Sequence, residues 1–260
     1  MYELDLICKS QDWLSVTKIA KLYKDFISDH LRNMVKLCRI YFMPKLHKIL
    51  LALRPICASQ GWITYWTSVY IHLTMFPLLR KIPSFITNSA QLVSMLEKIK
   101  LPEDYQFLPA DVDNLYPSID IDDALEALLQ FLLDRSGFKR SRIDFIVNIT
   151  RWVLKNNYVT FGDKIFLQIR GTAMGTPCAV VVACIYMHTL EQEALNQFAY
   201  QRYIIQSIFL FVRLIDDYIL LVVDYDTGIA FMDLLNSRRP NIKVTFKISN
   251  KEAQFLDLTL

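Results

Sequence analysis

The chain has 260 residues, 53% of them hydrophobic and 13% aromatic, with only 6 glycines. That composition fits one large or two small packed domains and excludes a disordered or collagen-like chain. The formal charge is only +3, but it is unevenly spread. No acidic residue lies between Asp29 and Glu97, a stretch that holds Arg32, Lys36, Arg39, Lys45, Lys48, Arg54, Arg80 and Lys81 and also Trp62, Tyr65, Trp66 and Tyr70. Cations interleaved with aromatics suit a phosphate backbone and stacked bases. The plainer alternative is a core helix pair with a basic outer face. The 5 cysteines, an odd number without C-x-x-C spacing, point to a reducing, intracellular setting. No signal-peptide pattern opens the chain, and the greasiest windows, near 178–187 and 204–223, are too short or too charged to span a bilayer. A membrane protein is therefore not expected.

In chain order, Trp13, Val16, Ala20, Tyr23 and Phe26 have helical spacing, which predicts a long helix over 10–40. Residues 41–58 read as turn-like, with Pro44 and Pro55 limiting any helix. Residues 62–98 read as largely helical, interrupted at Pro77 and Pro83. A strand is expected over 105–112, then a helix from Asp123, where Asp123 and Glu126 have capping-box spacing. A helix over 141–155 and a hairpin of 157–161 with 164–169 follow. The loop Gly171–Pro177 leads into a helix running to Phe198, with Thr176 able to cap it and Pro177 suited to its first position. A hairpin within 209–223, a short helix near 227–236 and strands at 241–248 and 254–260 close the chain.

The chemistry begins at Asp216-Asp217, between two apolar, strand-forming runs. A two-residue hairpin loop ordinarily takes Asn-Gly or Asp-Gly. Two adjacent carboxylates repel each other, which makes sense if a hard cation neutralises them. The alternative is a solvated acidic turn. Asp111 ends the strand expected at 105–112, and pairing of that strand with the hairpin would bring three carboxylates together. Such a cluster, with two Mg²⁺ ions, would suit an in-line phosphoryl displacement. Gly171 and Gly175 let backbone approach a ligand closely, and no Walker-type Gly-Lys-Ser/Thr is present. His30, His47, His72 and His188 are scattered without metal-ligand spacing, and Asp113, Asp120, Asp122 and Asp123 suit capping or solvated roles.

Taken in order, these segments resemble reverse transcriptases, most closely those of the telomerase-related Penelope-like retroelements. The matching residues are Pro44-Lys45-x-His47-Lys48, Arg54-Pro-Ile56, Asp111-Val-x-x-Leu-Tyr116, Gln168-x-x-Gly-Thr-Ala-Met-Gly-Thr176, Ile215-Asp-Asp217, Ile242–Phe246 and Phe255-Leu-Asp-Leu258. The resemblance implies an α/β right-hand polymerase: an antiparallel palm sheet, helical fingers and no thumb within the chain. It divides the chain into N-terminal helices and fingers (1–104) and a palm (105–260) with a helical fingers insertion near 122–160.

The resemblance also implies an RNA-directed DNA polymerase acting on an RNA template, a DNA primer and deoxynucleoside triphosphates. Asp111, Asp216 and Asp217 would hold two Mg²⁺ ions, with Mn²⁺ as a substitute. Lys45 and Arg54 would meet the triphosphate, and Tyr116 would sit under the sugar. Gln168, Gly171, Met174 and Gly175 would shape the nucleotide site. Phe255, Leu256 and Asp257 would lie by the primer, and Lys36, Arg39 and Lys48 along the nucleic acid. Lys247 lies where many reverse transcriptases keep a lysine beside the leaving pyrophosphate. A nuclear location in a eukaryotic host is expected. Competing readings are a catalytically inactive or truncated copy that only binds nucleic acid, and a telomerase-like or group II intron-like polymerase. Departures from the family pattern are Ser59-Gln-Gly-Trp-Ile63 after the Arg-Pro-Ile segment, Thr176-Pro-Cys-Ala-Val180 at the following helix, and no GIY-YIG endonuclease.

Overall fold

The computed structural model describes residues 36–44, 53–100, 105–199, 207–247 and 252–260. The helix expected over 10–40 lies almost wholly outside them, as do Lys45, His47 and Lys48.

The centre is an antiparallel four-stranded sheet in the order β6 (Ile208–Leu214), β7 (Asp217–Val222), β3 (Gln106–Val112) and β8 (Val244–Phe246). The period of two sorts its side chains between two cores. Leu108, Ala110 and Val112 of β3 and Tyr218, Leu220 and Val222 of β7 join the main core. That core is shared with α1 (Tyr65–Met75), α4 (Ile121–Arg135), α5 (Arg140–Lys155), α6 (Ala179–Ala199) and α7 (Tyr225–Asn236). The alternate residues Phe107, Leu210, Val212, Ile219 and Leu221 face a smaller core. It is closed by Ile86, by Leu92 of α2 (Ser89–Leu96), and by Ala253 and Phe255. Phe255 belongs to a small hairpin, β9 (Gln254–Phe255) and β10 (Leu258–Thr259).

A second sheet, in the order β2-β1-β4-β5, combines β1 (Cys38–Pro44) and β2 (Leu53–Ala58) with β4 (Tyr158–Phe161) and β5 (Lys164–Leu167). The turn-like reading of 41–58 is thus corrected: Pro44 and Pro55 exclude a helix but lie within strands. Pro55 lies on β2, an edge strand, where a missing N–H costs no ladder bond. The fingers are therefore not purely helical. The segment near 122–160 divides: α4 and α5 pack into the core behind the palm, and only the hairpin that begins at Tyr158 joins β1. The cap of α4 is also corrected by three residues. Asp120 is the N-cap, accepting from the backbone N–H of Asp122 and Asp123, and Asp123 instead pairs with Arg239 at 3.3 Å. Among the described residues no helix is long and apolar enough to cross a membrane, and Cys38, Cys57, Cys178 and Cys184 are free and buried.

Candidate active site

The palm strands meet so that Asp111 of β3 and Asp217 of β7 are direct register partners. Asp111 lies an even number of residues from Phe107, and Asp217 from Ile219 and Leu221, so both carboxylates are on the sheet face turned away from the main helical core. The turn joining β6 to β7 is Ile215–Asp216, one residue earlier than the Asp-Asp tip expected, because Asp217 is already paired with Leu214 and Asp111. Asp216 is held against the same strand end: its carbonyl accepts from the Val112 N–H at 3.0 Å.

Ile215 has φ +58°, and Asp216 has no positive φ. That pattern suits a turn whose first central position normally takes glycine. A β-branched residue there is strained by roughly 1–3 kcal/mol and persists only where its surroundings over-determine it.

The carboxylates perturb one another. Burial first, then the charges of Asp216 and Asp111, push the Asp217 carboxyl up from 3.8 to about 6. Like charges placed directly opposite on neighbouring strands are destabilising. Hard carboxylate oxygens gathered in this way match the donor chemistry of a hard divalent cation. Among the described residues, however, no three His, Cys, Asp or Glu side chains form a ready-made ligand set. The arrangement is an open acidic face rather than a closed cage.

A cleft of about 950 Å³ opens over this face. Arg54, Asp111, Tyr116, Met174, Gly175, Asp216 and Asp217 all line it. Tyr116 sits on the short helix α3 (Leu115–Ser118), entered through Asn114 in the left-handed region. Burial, with the neighbouring Cys184 and Asp216 charges, drives its phenol upward. A second groove of about 550 Å³ runs along the other side of Asp111 and Asp217, lined by Asp113, Thr245, Lys247 and the β9–β10 hairpin. Leu256 borders both spaces, with φ +56° at the hairpin turn.

Two glycines fix the loop between the fingers and the palm. A Cβ on Gly171 (φ +74°) would lie 2.5 Å from the Pro117 Cα and 2.6 Å from the Tyr116 oxygen. A Cβ on Gly175 (φ +102°) would lie 2.4 Å from the Cys57 oxygen. The loop is stitched to both sides: Cys57 N–H donates to the Met174 oxygen at 2.7 Å, and Thr172 N–H to the Tyr116 oxygen at 2.8 Å. Gly171 thus sits behind the cleft rather than in its lining.

The remaining expected residues are dispersed. Gln168 turns away from the cleft, accepting from Asn157 at 2.7 Å and donating to the Arg170 oxygen at 2.8 Å. Phe255 is 3% exposed and packs in the smaller core, while it also lines the second groove beside Leu256. Its side chain anchors the hairpin, whose exposed turn residues are Leu256 and Asp257. Lys36 and Arg39 are exposed near the start of the fingers sheet.

Sequence reasoning missed Asp113, given a solvated role, which lines both spaces and accepts from Thr245 Oγ1 at 3.4 Å. It also missed Arg213 and Glu191, 0% and 1% exposed, paired at 2.5 Å behind the hairpin. An arginine inside an otherwise apolar strand was the available signal, because a buried charge requires a partner.

No protein-family model matches the chain. Over 135 residues, half of this chain and 12% of the relative, it is 26% identical to the telomerase reverse transcriptase of Euplotes aediculatus. Among solved structures, the apo telomerase of Candida tropicalis truncated from its C-terminal domain superposes with a TM-score of 0.60 at 12% identity, covering 94% of this chain and 58% of that one. Telomerase from Candida albicans, in complex with a TWJ fragment of telomeric RNA, gives 0.62 at 14% identity over 92% of this chain and 48% of that one. The RNA-dependent RNA polymerase of BmCPV at its elongation state gives 0.57 at 10% identity over 92% and 22%. The chain spans less than two thirds of each of these proteins. It carries the mixed α/β palm-and-fingers fold that telomerases share with viral RNA polymerases.

Proposed function

We propose that this chain is the palm and fingers of an RNA-directed DNA polymerase of a Penelope-like retroelement. The observation that carries the reading is the register pairing of Asp111 with Asp217, beside Asp216, at the floor of a cleft bordered by Arg54 and Tyr116. In the proposed reaction the primer 3′-hydroxyl releases its proton to solvent, its oxygen bonds to the α-phosphorus of a deoxynucleoside triphosphate, and the bond from that phosphorus to the bridging oxygen breaks as pyrophosphate leaves.

Asp111, Asp216 and Asp217 would hold Mg²⁺ through carboxylate oxygens. When bound, the metal would supply charge neutralisation for the triphosphate and activation of the attacking oxygen. Arg54, on the fingers edge strand, orients the triphosphate by charge-assisted hydrogen bonds. Tyr116, held in place through its backbone by Thr172, limits the space under the sugar and disfavours a 2′-hydroxyl. The groove beside Thr245, Lys247 and Leu256 takes the primer end. The basic, aromatic fingers follow the template backbone, with Lys36, Arg39 and Lys48 as phosphate contacts. A nuclear, intracellular setting goes with this reading.

The ordered sequence matches, above all residues 168–176, favour the retroelement type. The similarity to a telomerase reverse transcriptase supports a telomerase-like polymerase as the second reading. The viral neighbours share the fold while making RNA, so the fold leaves the sugar of the product to Tyr116.

The test is primer extension on RNA and DNA templates in Mg²⁺, with Asp216→Asn as the control. Extension by wild type and none by the variant supports the reading. Equal extension by both refutes the carboxylate assignment, and no extension by either favours a chain that only binds nucleic acid. Templates carrying a telomeric repeat separate the two polymerase readings.

A further inference from the structure

Behind the acidic turn lies a buried polar node that the proposed chemistry does not use. Arg213 is the register partner of Tyr218, and both point into the helical core, one step from Leu214 and Asp217 on the open face. Its guanidinium donates in three directions: to Glu191 Oε1 at 2.5 Å, to the Ile215 carbonyl at 2.9 Å and to the Cys184 carbonyl at 3.0 Å. Glu191 also accepts from Tyr218 Oη at 2.7 Å and from Ser84 Oγ at 2.5 Å. The Arg213 backbone is clamped as well, its N–H donating to the Ser84 carbonyl at 2.6 Å and its carbonyl accepting from the Ile86 N–H at 3.0 Å. One buried pair on α6 and β6 thus grips the residue before the Asp216-Asp217 pair by its carbonyl and the residue after it by its hydroxyl.

We infer that Arg213 and Glu191 are positioning residues, which hold the Ile215 peptide in its left-handed turn and so aim Asp216 and Asp217 at the cleft. Three features argue for this role over simple core packing. The Ile215 carbonyl belongs to the peptide that leads directly into Asp216, so the bond sets the plane from which that side chain departs. The conformation held is one a β-branched residue does not adopt unaided. A buried ion pair is also a poor source of stability, since well-packed apolar residues in its place are often as stable or more so. A fold needing only a filled core could place apolar side chains here. What they could not do is donate to a turn carbonyl.

That contrast gives the experiment, whose activity arm rests on the polymerase reading. Two variants are compared with wild type: Tyr218→Phe, which removes one hydroxyl tether, and the double replacement Arg213→Met with Glu191→Met. Three quantities are read: thermal midpoint, kcat and KM for nucleotide in primer extension, and hydrogen–deuterium exchange in peptides covering 212–219 and 140–155. We expect the double variant to stay folded but melt below wild type, because the Tyr218 and Ser84 hydroxyls and the Ile215 carbonyl lose these partners. Its kcat should fall about 10- to 100-fold, as for misplaced catalytic groups, with KM changed little. Exchange should rise in 212–219 and stay unchanged in 140–155. Tyr218→Phe should move kcat and local exchange the same way, by less.

Wild-type kcat and wild-type exchange at 212–219 in the double variant would overturn the inference. If the double variant fails to fold, Tyr218→Phe decides: a faster-exchanging turn with an unchanged melt supports positioning, and an unchanged turn refutes it. If wild type itself makes no product, the polymerase reading fails, while exchange at 212–219 still decides whether the node positions the turn.

Discussion

Asp217→Asn should make the protein more stable while removing its activity. The Asp217 carboxyl is raised from 3.8 to about 6 by burial and by the Asp216 and Asp111 charges. A shift of that size disfavours the ionised form by ~3 kcal/mol. The group is half-buried, and solvent screening reduces the expected figure to roughly 1–2 kcal/mol. The sign follows from proton binding. The folded chain holds this proton more tightly than the unfolded chain, so the penalty is absent below pH 3.8, grows between 3.8 and about 6, and is complete above. Asparagine is neutral throughout. In EDTA at pH 7.5 the variant should therefore melt about 2–8 °C higher, given ~2–4 °C per kcal/mol at this size. Below pH 4 the two curves should coincide. Adding Mg²⁺ should narrow the gap by stabilising wild type preferentially, because a cation bound only to the folded carboxylates shifts the folding equilibrium. Scanning calorimetry from pH 3.5 to 8, with and without Mg²⁺, measures all three. A variant no more stable at pH 7.5, or an advantage unchanged at pH 3.5, would refute the argument that carboxylate crowding costs this fold stability.

Gly175→Ala should destabilise the fold by about 1–3 kcal/mol in urea, because its Cβ meets the Cys57 carbonyl and its φ is +102°. Gly162→Ala, at φ +58° with open space around it, should cost less, and an equal cost would deny the close approach. Tyr116→Val should raise ribonucleotide incorporation relative to deoxynucleotide, read as the ratio of kcat/KM values; an unchanged ratio removes Tyr116 from the sugar. Replacing Lys36, Arg39 and Lys48 together with Ala should weaken template–primer binding on every sequence. It should also flatten the salt dependence by about three counterions, whereas an unaltered slope means these side chains face solvent.

The palm was legible because its strands are short apolar runs rich in strand formers. Residues 105–112 and 209–223 bury both faces, one in each core, so pairing them in one sheet covers both sets. Convergence of Asp111 with Asp217 needed only that pairing. The turn was misread by one residue because nothing local marks Ile215 for a positive φ. The Ile215 carbonyl is held by Arg213, whose own place is set by Glu191 far away in sequence. The strands Cys38–Pro44 and Leu53–Ala58 were hidden because a proline excludes a helix without showing that a strand end, as at Pro44, or an edge strand, as at Pro55, accommodates it. The long-range contacts of Gly171 and Gly175 could not be seen from the chain, since Tyr116 and Cys57 lie far away in sequence.

The two faces of the β6–β7 hairpin impose a parity on its length. Arg213 and Tyr218 are even steps from residues that face the helices, and Leu214 and Asp217 from residues that face the smaller core. Substitution at a single position perturbs one contact. Deletion or insertion of one residue in either strand rotates everything beyond it by half a turn. An insertion just before Arg213 would bring the guanidinium to the open face beside Asp111 and drive Asp217 towards the apolar core. Between the register irregularity at Ile208–Leu210 and the acidic turn, the hairpin can vary in composition, but its residue count can change by one only with a further bulge to restore the faces.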